Sequence, residues 1–138
     1  MTILHIEDDD NDALLLAKAC ERARLPAILH RVADAGEGKS FFLGEGIYAD
    51  RLKYPLPQII ILDLKMPGVT GFEFLTWFRM QTEFVGIPVL VFTSSLSRDD
   101  KSRALAEGAT SFFVKPASFD ALVQMVGMFQ MPDSSPLN

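Results

Sequence analysis

Positive charge is scarce in this chain. Thirteen lysines and arginines stand against 18 aspartates and glutamates, a net charge of −5 and a pI near 4.9. That leaves no basic face for counterion release, which excludes a nucleic-acid backbone binder. Cysteine occurs once, at Cys20, with no Cys or His neighbour at metal-ligand spacing. It can form no internal disulfide and reads as a reduced, half-buried small residue of a cytosolic protein. No run approaches the ~18 apolar residues of a membrane span, and the start M-T-I-L-H-I-E-D-D-D lacks the basic flank of a signal peptide. A soluble, cytoplasmic protein with no membrane partner is expected. Internal repeats and low-complexity segments are missing as well.

What is present is apolar. Hydrophobic residues make up 49% of the 138 residues and charged residues 22%, enough to bury a core and too few residues for two domains. One domain is expected over 1–130, with a frayed tail at 131–138 carrying two prolines and two serines.

The chain is organised around Gln58 to Gly71, Q-I-I-I-L-D-L-K-M-P-G-V-T-G. Ile59 to Leu62 form a short, mostly β-branched run framed by Pro57 and by Pro67-Gly68, which suits a strand buried on both faces. Asp63 closes it. At the carboxyl end of a central parallel strand a carboxylate sits where open α/β sheets place their ligands; the alternative is that it only caps the following turn. Further strands are expected at Thr2–Ile6, Ala27–Val32, Pro88–Phe92 and Ser111–Val114. Helices are expected at Asn11–Ala23 with Asp9 or Asp10 as N-cap, Gly36–Leu43 with Phe41 and Phe42 inward, Thr70–Met80 with Phe74, Leu75 and Phe78 on one stripe, Ser97 to about Gly108, and Ser118–Phe129. Ser97 and Asp100 read as a capping-box-like start, and Gly44 to Pro57, with two Gly and two Pro, as a long surface connection. Five apolar strands alternating with five helices predict an α/β fold: one doubly wound (βα)5 flavodoxin-like domain with a parallel five-stranded sheet of order 2-1-3-4-5.

Under that topology Glu7, Asp8 and Asp63 converge at the crevice where the winding reverses. Three close carboxylates repel unless a cation sits among them, and hard oxygen donors suit Mg²⁺. The neighbouring strands end in Thr93 and Lys115, a hydroxyl and an ammonium that bind anions. Cation, carboxylate nucleophile, hydroxyl and lysine together make a site for phosphoryl transfer onto Asp63. Each residue alone has a blander reading: Glu7 to Asp10 as a solvated helix N-terminus, Thr93 as a strand-end hydroxyl, Lys115 as a surface lysine. Their shared sheet edge favours the joint reading.

The motifs I-L-H-I-E-D-D, I-I-L-D-L-K-M-P-G-V-T-G-F-E-F-L, V-L-V-F-T-S-S and F-F-V-K-P resemble the receiver domains of two-component response regulators across nearly all of residues 1–130. The resemblance implies Asp63 as phosphoacceptor and Mg²⁺ held by the acidic pair Glu7 and Asp8, by Asp63 and by the Lys65 backbone carbonyl. It implies Thr93 as switch hydroxyl, Lys115 as ion partner of the phosphoryl group, and a Lys115-Pro116 bond that is often cis in the family. Phe112 stands at the switch aromatic position, and lacking a hydroxyl it can signal its rotamer only by packing. Ser94 is the small residue expected after the switch threonine. Lys65 and Ser95, two residues beyond Asp63 and Thr93, occupy positions where the family tunes phosphoryl lifetime. The G-I-Y-A-D loop at 46–50 and an end just after the fifth helix resemble stand-alone receivers paired with phytochrome-type histidine kinases. The expected partners are therefore a sensor histidine kinase and an unidentified downstream protein reached by contact, with a homodimer face on the fourth helix, fifth strand and fifth helix.

Rival readings remain beside it. Ala33 to Ser40, A-D-A-G-E-G-K-S, falls one glycine short of a phosphate-binding loop and puts Asp34 and Glu37 inside it. A Mg²⁺-dependent phosphatase with an aspartyl nucleophile usually has an acid two residues on, where this chain has Lys65. The third rival is a degenerate receiver serving only as a binding module.

Overall fold

The computed structural model describes residues 1–66 and 68–129. The expected tail at 131–138 lies outside them. Five strands, β1 (Thr2–Ile6), β2 (Ile28–Val32), β3 (Ile59–Leu62), β4 (Val89–Thr93) and β5 (Ser111–Val114), alternate with five helices, α1 (Asp10–Arg22), α2 (Ala35–Leu43), α3 (Gly71–Arg79), α4 (Arg98–Ala106) and α5 (Phe119–Val126). The sheet is parallel with order β2-β1-β3-β4-β5. Because β1 lies between β2 and β3, the chain winds outward in both directions from the β1/β3 pair, and a crevice opens at their carboxyl ends.

Side-chain alternation along the strands divides the core. Leu4, Ile6, Ile60 and Leu62 face Phe41, Phe42, Phe74, Leu75 and Phe78 of α2 and α3. Ile3, Ile59, Ile61 and Phe92 face Leu16, Ala19, Leu122 and Val126 of α1 and α5. α4 seals the remaining flank with Ala104 against Leu64, Phe72, Val91 and the half-buried Phe112. Phe41, Phe74 and Phe78 are almost entirely buried, each contributing about 2–3 kcal/mol by leaving water. The three central strands are buried along their whole length, whereas the edge strands β2 and β5 are partly exposed.

Two local expectations are corrected. The segment after α2 is not a plain surface connection: Gly46–Ala49 forms a 3-10 turn with Tyr48 buried, and Arg51 donates to the Phe41 and Phe42 carbonyls at 2.7 Å each. Free carbonyls at the helix end are what the guanidinium satisfies. At the start of α4, the Ser97 hydroxyl does cap the Asp100 N–H, but Asp100 instead accepts the Ser95 hydroxyl at 2.6 Å, so the box is open. A closed capping box occurs at α3, between Thr70 and Glu73. Among the described residues no peptide bond is cis, so Lys115-Pro116 is trans, and no helix is long and apolar enough to cross a membrane.

Candidate functional site

Four strands end on one edge with chemistry-bearing side chains. β1 runs into Glu7 and Asp8, β3 into Asp63, β4 closes on Thr93, and β5 runs into Lys115. Main-chain pairing fixes their relative heights: Asp63 N–H donates to the Ile6 carbonyl and Lys115 N–H to the Thr93 carbonyl. Glu7 is fully buried, Asp63 nearly so, and Asp8 is exposed; ligand oxygens of the three lie within 4.8 Å of one another. Lys115 reaches across the sheet into this cluster. Its ammonium donates to Glu7 Oε1 at 2.8 Å, to Asp12 Oδ2 at 2.7 Å and to Asp63 Oδ2 at 3.3 Å.

Glycine permits the closeness of α3 to this loop. The Gly71 N–H donates to the Leu64 carbonyl at 3.2 Å, and a Cβ at position 71 would stand 2.2 Å from the Asp63 carbonyl oxygen. Only a residue without a side chain fits there. On the β2 side, Arg31 donates to the Glu7 carbonyl and to Asp10 Oδ1, both at 2.8 Å, and braces the acidic turn.

The electrostatics show how much negative charge is packed together. Burial, reinforced by the Asp63 charge, lifts Glu7 to about 7 even though the Lys115 hydrogen bond pulls it down. Burial tends to lower Lys115, but its hydrogen bonds to Asp12 and Glu7 and the Asp63 charge prevail and raise it. One ammonium is thus set against four carboxylates. His5, buried at the floor of the cluster, is pushed down to about 3 by burial and by the charges of Lys115 and Arg31, so it stays neutral. Three clustered carboxylates whose oxygens lie within 4.8 Å of one another fit a hard divalent cation such as Mg²⁺.

The structure brings together Glu7, Asp8, Asp63 and Lys115 as the sequence predicts. Asp63 Oδ2 faces Lys115, while Oδ1 accepts the Lys65 N–H at 3.3 Å and caps the turn. The solvated-terminus reading fails for Glu7 but is right for Asp9, which caps α1 by accepting the Asp12 N–H. Thr93 is buried beside the cluster, and its hydroxyl accepts the Ser95 N–H at 3.3 Å. Ser94 and Lys65 are exposed and Ser95 is buried. The Ala33–Ser40 segment is no phosphate cradle. Asp34 already caps the N-terminus of α2, and Lys39 lies over the Trp77 ring.

Sequence reasoning missed Asp12, Arg31, Gly71 and His5. A signal existed for Asp12, which comes just after the acidic turn on the first turn of α1 and shares its edge of the sheet.

A doubly wound parallel sheet with an acidic trio and an inward-reaching lysine at its reversal point has the construction of a receiver domain. The response regulator receiver domain family matches residues 3–127, and the chain belongs to it. It is 33% identical over 125 residues, 90% of this chain and 77% of the other, to the probable methanogenesis regulatory protein FilR2 of Methanothrix harundinacea. It covers only 34% of the phosphate regulon transcriptional regulatory protein PhoB of Rhizobium meliloti, at 36% identity over 76 residues. Among solved structures it is similar to response regulator RPA3017 in red light signaling of R. palustris, with 30% identity and a TM-score of 0.85 over 91% of this chain and 87% of that one. It is also similar to the phosphorylated cyanobacterial phytochrome response regulator RcpA, with 28% identity and a TM-score of 0.82 over the same shares.

Proposed function

We propose that this receiver accepts a phosphoryl group from a sensor histidine kinase onto Asp63 and signals by protein contact. The observation that carries the reading is the Lys115 ammonium placed 3.3 Å from Asp63 Oδ2, beside the clustered oxygens of Glu7, Asp8 and Asp63. An Asp63 oxygen attacks phosphorus, and the bond from phosphorus to the donor breaks with its electron pair leaving on the donor. Lys115 neutralises the phosphoryl oxygens, and the Thr93 hydroxyl, buried at the next strand end, turns to them. Glu7, Asp8, Asp63 and the Lys65 backbone carbonyl would hold Mg²⁺, which supplies charge neutralisation for the transferred group. Phe112, half-buried against Leu64, Phe72 and Ala104, moves with Thr93 by a change in packing. Ser94 leaves access open, while Lys65 and Ser95 tune the lifetime of the acyl phosphate.

The likeness to RPA3017 and RcpA supports a phytochrome-type kinase as the phosphoryl source. Exposed Leu105 on α4 and Met128 just past α5 support a homodimer through α4, β5 and α5. The net charge of −5 supports a protein without nucleic-acid contact, and a cytoplasmic location belongs to the same reading. Incubation with acetyl phosphate and Mg²⁺ tests the central reading. One label per chain that disappears in Asp63→Asn is expected. Continuous phosphate release would instead make the protein a phosphatase, and no label at all would make it a binding module.

A further inference from the structure

Lys115 has three N–H donors, and three carboxylates occupy them. The contact to Asp12 is the shortest at 2.7 Å and the one to Asp63 the longest at 3.3 Å. Asp12 is set apart from the other two. It belongs to the first turn of α1 rather than to a strand end, and its own N–H is pinned by the Asp9 cap at 2.9 Å. Its side chain keeps 37% of its exposure, whereas that of Glu7 keeps none.

We propose that Asp12 is a positioning residue that restrains Lys115 and so limits how readily Asp63 gains a phosphoryl group; the inference rests on the phosphoacceptor reading above. When the Asp63 oxygen bonds to phosphorus, a side chain with one negative charge becomes one with about two, and its new oxygens require an N–H of Lys115. The one given to Asp63 Oδ2 passes to the phosphoryl oxygens, but at 3.3 Å it is the longest, so drawing the lysine into full contact with them stretches another of its bonds. Water can take over at Asp12, which is partly exposed, but not at buried Glu7, where an unpaired carboxylate is far more costly. The Asp12 contact is therefore the one that yields as Lys115 moves toward Asp63, and its strength opposes phosphorylation. The Asp12 charge repels the incoming group as well, so both effects act in one direction.

Asp12→Asn retains an oxygen that can accept a weaker, neutral hydrogen bond from Lys115 while removing the charge. The expected result is labelling of Asp63 by acetyl phosphate about fivefold faster than in the parent protein at low salt, with the advantage shrinking as ionic strength rises. Asp12→Glu, which keeps the charge, should return the rate toward the parent value. A second reading needs no phosphoryl donor. In metal-free protein, urea unfolding of Asp12→Asn, Lys115→Met and the double variant should be non-additive. Labelling of Asp12→Asn that is unchanged or slower, or an additive cycle, would overturn the proposal while leaving the receiver reading intact. A parent protein that takes up no label at Asp63 would remove the receiver reading and this inference with it.

Discussion

Replacing Gly71 by alanine adds one methyl group at the seam between α3 and the Asp63 loop. The new Cβ would lie 2.2 Å from the Asp63 carbonyl oxygen, 2.6 Å from Leu64 Cα and 3.0 Å from the Asp63 carbonyl carbon. All three are backbone atoms, so no rotamer relieves the overlap. To restore ordinary van der Waals contact the first turn of α3 must retreat from the loop by about 1 Å. That movement breaks the Gly71 N–H bond to Leu64, worth about 1 kcal/mol, and unseats Phe72, Phe74 and Leu75, which are buried on the same helix. With the usual overpacking cost of about 1–3 kcal/mol, the expected loss is about 2–4 kcal/mol of unfolding free energy, a large part of what a domain this size has. Urea unfolding measures it, with Gly86→Ala as control, since no atom lies within 4 Å of a Cβ there. The control should change stability by no more than about 1 kcal/mol. Because Asp63 shifts with the loop, its labelling by acetyl phosphate should also slow by roughly 10- to 100-fold in Gly71→Ala. A Gly71→Ala protein as stable as the Gly86→Ala control, and labelled at the parent rate, would refute the steric argument.

Other consequences are local and separately measurable. Arg24 ends α1 in a left-handed conformation at φ 56°, closed by bonds from Arg24 N–H to the Glu21 carbonyl and from Leu25 N–H to the Cys20 carbonyl. Arg24→Gly relieves the strain and should stabilise by about 0.5–1 kcal/mol, read as a melting temperature a few degrees higher; a lower one would contradict it. Burial raises the Cys20 thiol to about 11 from 9.0. Its stabilisation is therefore complete below about pH 9 and is lost as pH rises through 11, and at pH 8 iodoacetamide should alkylate folded protein roughly 100-fold more slowly than unfolded protein. Equal rates in the two states would show that the thiol is not shielded. Lys65 is exposed two residues beyond Asp63, and under the proposed function its ammonium would screen the acyl phosphate from water. Lys65→Ala should shorten the phosphoryl lifetime about threefold, and an unchanged decay rate would remove that role.

The site was legible because its parts stand at the ends of apolar runs. Ile59 to Leu62 can be read as a buried strand from composition and flanking prolines, and the residue that closes such a strand is set by chain order, not by packing. Glu7, Asp63, Thr93 and Lys115 each close or come just after a run of this kind, and right-handed crossovers put all of those ends on one edge. Local caps were partly legible. Ser97 caps as its spacing predicts, and of the two candidates Asp9 and Asp10 it is Asp9 that caps α1, but Asp100 turns away to Ser95 because a hydroxyl at 2.6 Å competes with the backbone donor. The segment 44–57 read as a loop because its glycines and prolines are local signals, whereas the burial of Tyr48 and the Arg51 clamp on the end of α2 come from contacts between elements.

Order along the chain alone thus determined the five strands, their succession and the carboxylate, hydroxyl and ammonium that end them. Tertiary packing decided which partners Lys115 keeps, that Gly71 must lack a side chain, and that Glu7 is buried while Asp8 is exposed. The reason is distance along the chain: Lys115 and Asp12 are 103 residues apart, and no short-range periodicity carries information about a meeting that exists only once α1 and β5 are docked on the same sheet.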